Sequence, residues 1–181
     1  MKLLKEFRPA LMFLGKFLAL YFAGNILYGV YIESTGNRPD SITRMVTDQT
    51  GWLLDIVGYE THVEDHPDQP KVSLENDGKR VLNVYEGCNG INVIIVFIAF
   101  LFAFGGPVKS LSVFIPVGLL IIHFFNLLRI GLLFYLALNN STQFYYYHKY
   151  FFTATLYLVV FVLWTIWVIW FNERRNVKAT A

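Results

Sequence analysis

The chain has 181 residues, of which 55% are hydrophobic and 18% aromatic, and its formal net charge is +2. Soluble domains are about 45–50% apolar, and the charges here are segregated, with eleven of the thirteen acidic residues between positions 32 and 87. This pattern indicates an integral membrane protein, and the small net charge argues against a nucleic-acid partner.

Four apolar segments predict about four transmembrane helices. They run from about Pro9 to Tyr31, Ile91 to Phe104, Leu111 to Leu138 and Phe151 to Phe171. The first is longer than the apolar core of a signal peptide, which has about 7–15 residues, and we therefore expect a retained anchor. The second is shorter than the ~20 residues of a span. We expect it to cross the membrane only if its helix continues back to about Cys88 and forward to Lys109.

The basic residues predict the orientation, because Lys and Arg concentrate on the cytoplasmic side. With the N-terminus in the cytoplasm, most of them lie at or near that boundary: Lys2, Lys5, Arg8, Lys16, Lys109, Arg174, Arg175 and Lys178. The loops 32–87 and 139–150 then lie outside, and both termini lie inside. We expect a multi-pass protein of the cytoplasmic (inner) cell membrane.

The long outer loop is predicted to be structured. Apolar residues recur at near-helical spacing between Asp40 and Val57, which predicts an amphipathic helix lying on the membrane; they are Ile42, Met45, Val46, Leu53, Leu54 and Val57. Residues 71–75 and 80–85 alternate apolar with polar around a turn, which predicts a β-hairpin that leads to Cys88. The expected fold is an all-α integral membrane protein whose extracytoplasmic loop contains this helix and hairpin.

Cys88 is the single cysteine of the chain. One cysteine excludes an internal disulfide, a Cys-x-x-Cys redox pair and a multi-cysteine metal site. The remaining roles are an apolar filler, a modification site and a nucleophile. The thiol stands between Gly87 and Asn89-Gly90 at a predicted helix start, where free N–H groups and the helix dipole favour a thiolate.

Two further residues point to the same side of the membrane. Arg129 lies in the outer half of the third apolar segment, where a guanidinium is costly unless it is paired or faces water. Asn126 lies one turn earlier on the same face. His148 directly precedes the fourth segment. Each has a structural alternative: Arg129 as a snorkelling side chain and His148 as an interfacial polar group. Together with Cys88 they suit nucleophilic acyl chemistry.

Other polar residues indicate no further chemistry. His62 and His66, with Glu64 and Asp65 between them, superficially resemble a metal site but are expected to be solvated. His123 is expected to be a packed, hydrogen-bonded histidine. We expect neither a metal nor a cofactor.

The motifs together resemble the exosortase/archaeosortase family, and most of all its exosortase F subgroup. Cys88-Asn89-Gly90 opens one helix, Asn126-Leu127-Leu128-Arg129 lies late in the next, and His148 opens the last. The resemblance covers about Tyr85 to Phe171. The chain is shorter than many exosortases, and some relatives have a second arginine in place of the histidine.

The resemblance implies a membrane cysteine protease or transpeptidase. Its partners would be the C-terminal sorting tails of exported proteins, cut at a motif and transferred to an envelope acceptor. Cys88 would be the nucleophile, Arg129 would stabilise the thiolate or oxyanion, and His148 would be the general acid/base, with Asn89, Gly90 and Asn126 in support.

The implied organisation is an anchor (1–31), an extracytoplasmic loop (32–87), a three-helix catalytic membrane core (88–171) and a basic cytoplasmic tail (172–181). Two alternatives remain: a non-enzymatic membrane partner whose acidic loop binds an envelope protein, and a transporter whose Arg129 binds an anionic lipid or small molecule.

Overall fold

The computed structural model describes residues 7–66, 69–139 and 152–179. In the last of these ranges it describes the side chains of residues 154–172. The chain is mostly helical with one small sheet. Its elements are α1 (Arg8–Thr35), α2 (Ser41–Ile56), β1 (Thr61–Asp65), β2 (Lys71–Asn76), β3 (Lys79–Tyr85), a 3-10 turn (Glu86–Cys88), α3 (Ile91–Phe104), α4 (Val108–Asn139) and α5 (Phe152–Ala179).

Among the described residues, three helices are long and apolar enough to cross a membrane: α1, α4 and the part of α5 from Ala154 to Asn172. The apolar helix α3 has 14 residues. At 1.5 Å per residue it is about 21 Å long, against a hydrocarbon core of about 30 Å. The condition set for a fourth span, a helix that continues to Cys88 and Lys109, is not met, because α3 begins at Ile91 and ends at Phe104. Three spans are therefore supported by length, and the fourth stays a prediction.

The apolar helices pack into a bundle through α3. Phe97 and Leu101 of α3, Ile122 of α4, and Val160 and Trp167 of α5 form its fully buried core. The first helix α1 has no buried residue and lies against the outside of α3, where the ring of Phe13 meets the edge of Phe100 at 5.5 Å. Such all-round apolar exposure is expected of a helix in contact with lipid.

The polar segment folds into three antiparallel strands in the order β1-β2-β3. The predicted hairpin is β2 and β3, joined through Asp77 and Gly78, which both have positive φ, as a tight two-residue hairpin turn requires. The strand β1 was not predicted. It pairs with β2 from Thr61 opposite Asn76 to Asp65 opposite Val72.

The amphipathic helix α2 lies between this sheet and α4. Asp40 caps it by accepting from the N–H groups of Ile42 and Thr43. Val46 and Leu54 are buried in a cluster with strand residues and α4, whereas the predicted pattern placed them on the membrane. The exposed apolar residues of α2 include Trp52, 64% exposed, which the predicted stripe left out. One face of α2 is therefore buried in the protein core, whereas apolar residues such as Trp52 are exposed on its other side.

Candidate active site

Cys88 lies where the sheet meets the apolar bundle. Strand β3 ends at Tyr85, the 3-10 turn carries the chain through Glu86–Cys88, and Asn89 and Gly90 lead into α3. The Cys88 side chain is half-buried and packs against the cluster formed by α2, the sheet and α4. Cys88 was expected at the start of this helix. The structure places it close to that start but outside the helix, with two residues between Cys88 and Ile91.

The residue after Cys88 is tightly held. Asn89 is 3% exposed. Its Nδ2 donates to Tyr28 Oη at 2.7 Å and to Thr43 Oγ1 at 3.0 Å, and its Oδ1 accepts from the N–H of Ile91 at 3.0 Å. Buried amides cost free energy unless they are hydrogen-bonded. The side-chain amide therefore fixes this turn to α1 and α2, and it occupies the N–H of Ile91, one of the N–H groups at the start of α3.

Asn126 joins the Cys88 turn to α4. Its side chain is fully buried, and its Nδ2 donates to the carbonyl oxygen of Cys88 at 3.0 Å. Asn126 can approach the backbone at Gly90 closely because glycine has no side chain. A Cβ on Gly90 would lie 3.2 Å from Asn126 Nδ2. The φ of Gly90 is +88°, a left-handed conformation that glycine adopts without strain. The predicted support residues Asn89, Gly90 and Asn126 are thus brought together around Cys88.

Arg129 is linked to Cys88 through the same asparagine. Its Nη1 donates to Asn126 Oδ1 at 3.4 Å. Its Nε is buried and finds no hydrogen-bond partner among the described residues. A buried donor without a partner costs about 1–3 kcal/mol, and more when it belongs to a charged group. Among the described residues this arginine therefore keeps an unused donor, and Asn126 alone links it to the Cys88 carbonyl. A site for an anionic group requires such a donor.

The other polar residues singled out in the sequence add nothing to this site among the described residues. His148 falls outside the described residues. His62 lies in the exposed strand β1, and the described residues contain no group of three or more His, Cys, Asp or Glu side chains that could hold a metal ion. His123 is half-buried, and its Nε2 donates to Gln49 Oε1 at 2.7 Å, which agrees with a packed, hydrogen-bonded histidine.

Sequence reasoning missed Tyr28 of α1 and Thr43 of α2, which accept from Asn89, and Asp40, which caps α2 and accepts from Thr43. Thr43 Oγ1 donates to the buried carboxylate of Asp40. The helix-capping position of Asp40 was a detectable signal. No pattern along the chain pointed to the pairing of Thr43 with Asn89, because 46 residues separate them.

Comparison with known proteins places these features in a family. No curated protein and no solved structure matches the chain significantly. A family model described as transmembrane exosortase matches residues 2–170, and these residues include both the bundle and the sheet-bearing segment. The chain therefore belongs to the transmembrane exosortase family.

Proposed function

We propose that the chain is a membrane cysteine protease or transpeptidase that cuts the C-terminal sorting tails of exported proteins and transfers the new carboxyl end to an envelope acceptor. Membership of the exosortase family suggests a membrane transpeptidase or protease role, and the family acts on such tails. Within the family we assign the chain to the exosortase F subgroup, on the basis of its short length and long polar loop.

One observation carries the assignment of the catalytic residues. Asn126 bonds through its amide to the Cys88 carbonyl and through its oxygen to Arg129. One buried side chain thereby links a candidate nucleophile to Arg129, whose buried Nε has no hydrogen-bond partner in the part of the chain that the structure describes. An inert thiol and a snorkelling arginine would not require this link.

The proposed chemistry proceeds in two acyl transfers. In the first, Cys88 Sγ attacks the carbonyl carbon of the scissile peptide, and Arg129 stabilises the thiolate or the oxyanion. The C–N bond then breaks, and the leaving amine takes a proton from the general acid, for which we propose His148. In the second, the acceptor nucleophile attacks the thioester carbonyl and gives up its proton to His148. The C–S bond then breaks, and Cys88 leaves as the thiolate with which the reaction began.

The proposed orientation places this chemistry outside the cytoplasm. The basic residues Arg8, Lys16 and Lys109 lie at the end of the bundle remote from Cys88, and the positive-inside rule assigns that end to the cytoplasm. The loop 32–87 with its sheet is then extracytoplasmic, the three helices from residue 88 form the catalytic core, and both termini are cytoplasmic.

The test is processing, in cells, of an exported reporter that carries a cognate C-terminal tail. We expect Cys88→Ala to give no detectable processing, because the thioester cannot form. We expect Arg129→Gln to slow processing about 100-fold or more, the usual cost of removing an oxyanion donor. Arg80→Gln is the matched control, since Arg80 is an exposed, ion-paired arginine of β3; it is expected to process at the wild-type rate. Full processing by Cys88→Ala would refute the mechanism.

A further inference from the structure

We propose that Thr43 of α2 is a positioning residue for the nucleophile, acting on Cys88 through Asn89. The proposal rests on the proposed function, in which Cys88 is the attacking group. It assigns to the loop helix α2, which sequence reasoning placed on the membrane surface, a direct part in organising the reaction centre.

The hydroxyl of Thr43 has a fixed direction. A threonine hydroxyl has one proton to donate, and that proton goes to Asp40 Oδ2. The oxygen is then left to accept from Asn89 Nδ2 at 3.0 Å. All three side chains are at least 97% buried, and water does not compete with these bonds.

Asp40 anchors this chain of hydrogen bonds. Its other oxygen, Oδ1, accepts from the backbone N–H groups of Ile42 and Thr43 at 2.9 and 3.0 Å. The carboxylate therefore holds the start of α2 and the Thr43 hydroxyl together. Bonds to an ionised acceptor are about twice as strong as those between neutral groups.

The Asn89 amide is consequently oriented as well. Its Nδ2 must face the two hydroxyl oxygens of Thr43 and Tyr28, and its Oδ1 therefore faces the N–H of Ile91. Asn126 also holds the Cys88 carbonyl, and the backbone that leads from Cys88 into α3 is therefore fixed at two points. A nucleophile that is held in this way does not have to be ordered when the substrate arrives.

The test compares three threonine variants in the full chain. Thr43→Val keeps the shape and removes the hydroxyl, whereas Thr43→Ser keeps the hydroxyl. Thr47→Val is the matched control, because Thr47 is equally buried on the same helix and its hydroxyl donates to the Thr43 carbonyl oxygen. Two readouts are used: processing of the tail reporter, and the rate of Cys88 alkylation by a maleimide across a pH series. With one cysteine in the chain, alkylation reports on Cys88.

We expect Thr43→Val to slow processing by about 10- to 100-fold, the effect of a small misplacement of a reacting group, and to change the pH profile of alkylation. Thr43→Ser and Thr47→Val are expected to match the wild type in both readouts. Wild-type behaviour of Thr43→Val, or an equal loss in Thr47→Val, would overturn the proposal.

A second variant covers the case in which Thr43→Val does not fold. Tyr28→Phe removes the other acceptor of the Asn89 amide from a half-buried site on α1, and Tyr21→Phe on the same helix is its control. We expect a smaller change in the same direction for Tyr28→Phe, and an unchanged alkylation profile there would then overturn the proposal. Failure of the proposed function is seen separately, as continued processing by Cys88→Ala.

Discussion

Gly90 shows how closely single residues are constrained next to the thiol. Its φ of +88° disfavours any residue with a Cβ, at about 1–2 kcal/mol. A Cβ would also press on Asn126 Nδ2 at 3.2 Å, the atom that holds the Cys88 carbonyl. A side chain at position 90 would therefore both strain the backbone next to Cys88 and displace Asn126, which holds the Cys88 carbonyl.

We expect Gly90→Ala to lower stability by about 1–2 kcal/mol and to slow processing of the tail reporter. Thermal unfolding in detergent micelles measures the first effect. Gly87→Ala is the control, because Gly87 lies on the other side of Cys88 with no atom within 4 Å of its added Cβ. Equal effects of the two substitutions would show that the contact between Gly90 and Asn126 is unimportant.

At the residue scale, prediction succeeded where the partners follow from helix spacing or motif order. Asn126 and Arg129 lie three residues apart on one helix, and their contact was expected. Thr43 and Tyr28 were missed, because their contact with Asn89 depends on how three separate elements meet. The catalytic roles of Cys88, Arg129 and His148 stay predictions.

At the scale of elements, the packing of α3 against α4 depends on Gly118. A Cβ at this position would overlap the ring of Phe97, which is fully buried in the bundle core. Helices in membranes approach closely where one of them carries a small residue. Gly118 thus sets the distance between the helix that Cys88 precedes and the helix that carries Arg129.

We expect Gly118→Ala to cost about 1–3 kcal/mol, the usual penalty for overpacking a filled core. The midpoint of thermal unfolding in detergent gives the measurement. Gly15→Ala on α1 is the matched control, since no atom lies within 4 Å of its added Cβ; its midpoint should stay unchanged or rise slightly. A wild-type midpoint for Gly118→Ala would mean that α3 and α4 can separate without loss.

Hydropathy predicted the bounds of the long helices to within about four residues, because contact with lipid selects for continuous apolar sequence. The exception is the end of α5, which continues past Phe171 to Ala179. Hydropathy also predicted α3, because the apolar segment Ile91–Phe104 ends where Gly90 and Gly105 stop the helix. It failed for β1, Thr61–Asp65, which is mostly polar. That strand is held by pairing with β2, a long-range contact that leaves little trace in its own residues.

For the whole molecule, the proposed topology puts the two ends of the bundle in different compartments. In a Cys88→Ala background, single cysteines at Asp77, in the turn between β2 and β3, and at Lys109, at the start of α4, mark those ends. We expect a membrane-impermeant maleimide to label Asp77→Cys in intact cells and Lys109→Cys after the cells are opened. Labelling of both positions in intact cells, or of Lys109→Cys alone, would contradict the orientation.

The shortness of α3 has a consequence for the surrounding lipid. A bilayer that meets both ends of a helix about 21 Å long must thin by roughly 9 Å from its usual ~30 Å. This local thinning of the bilayer would bring lipid headgroups and water to the level of Cys88. A substrate helix of ordinary length would have to tilt, or end early, to present its flanking peptide there. Membrane thickness would then help to decide which tails reach the thiol.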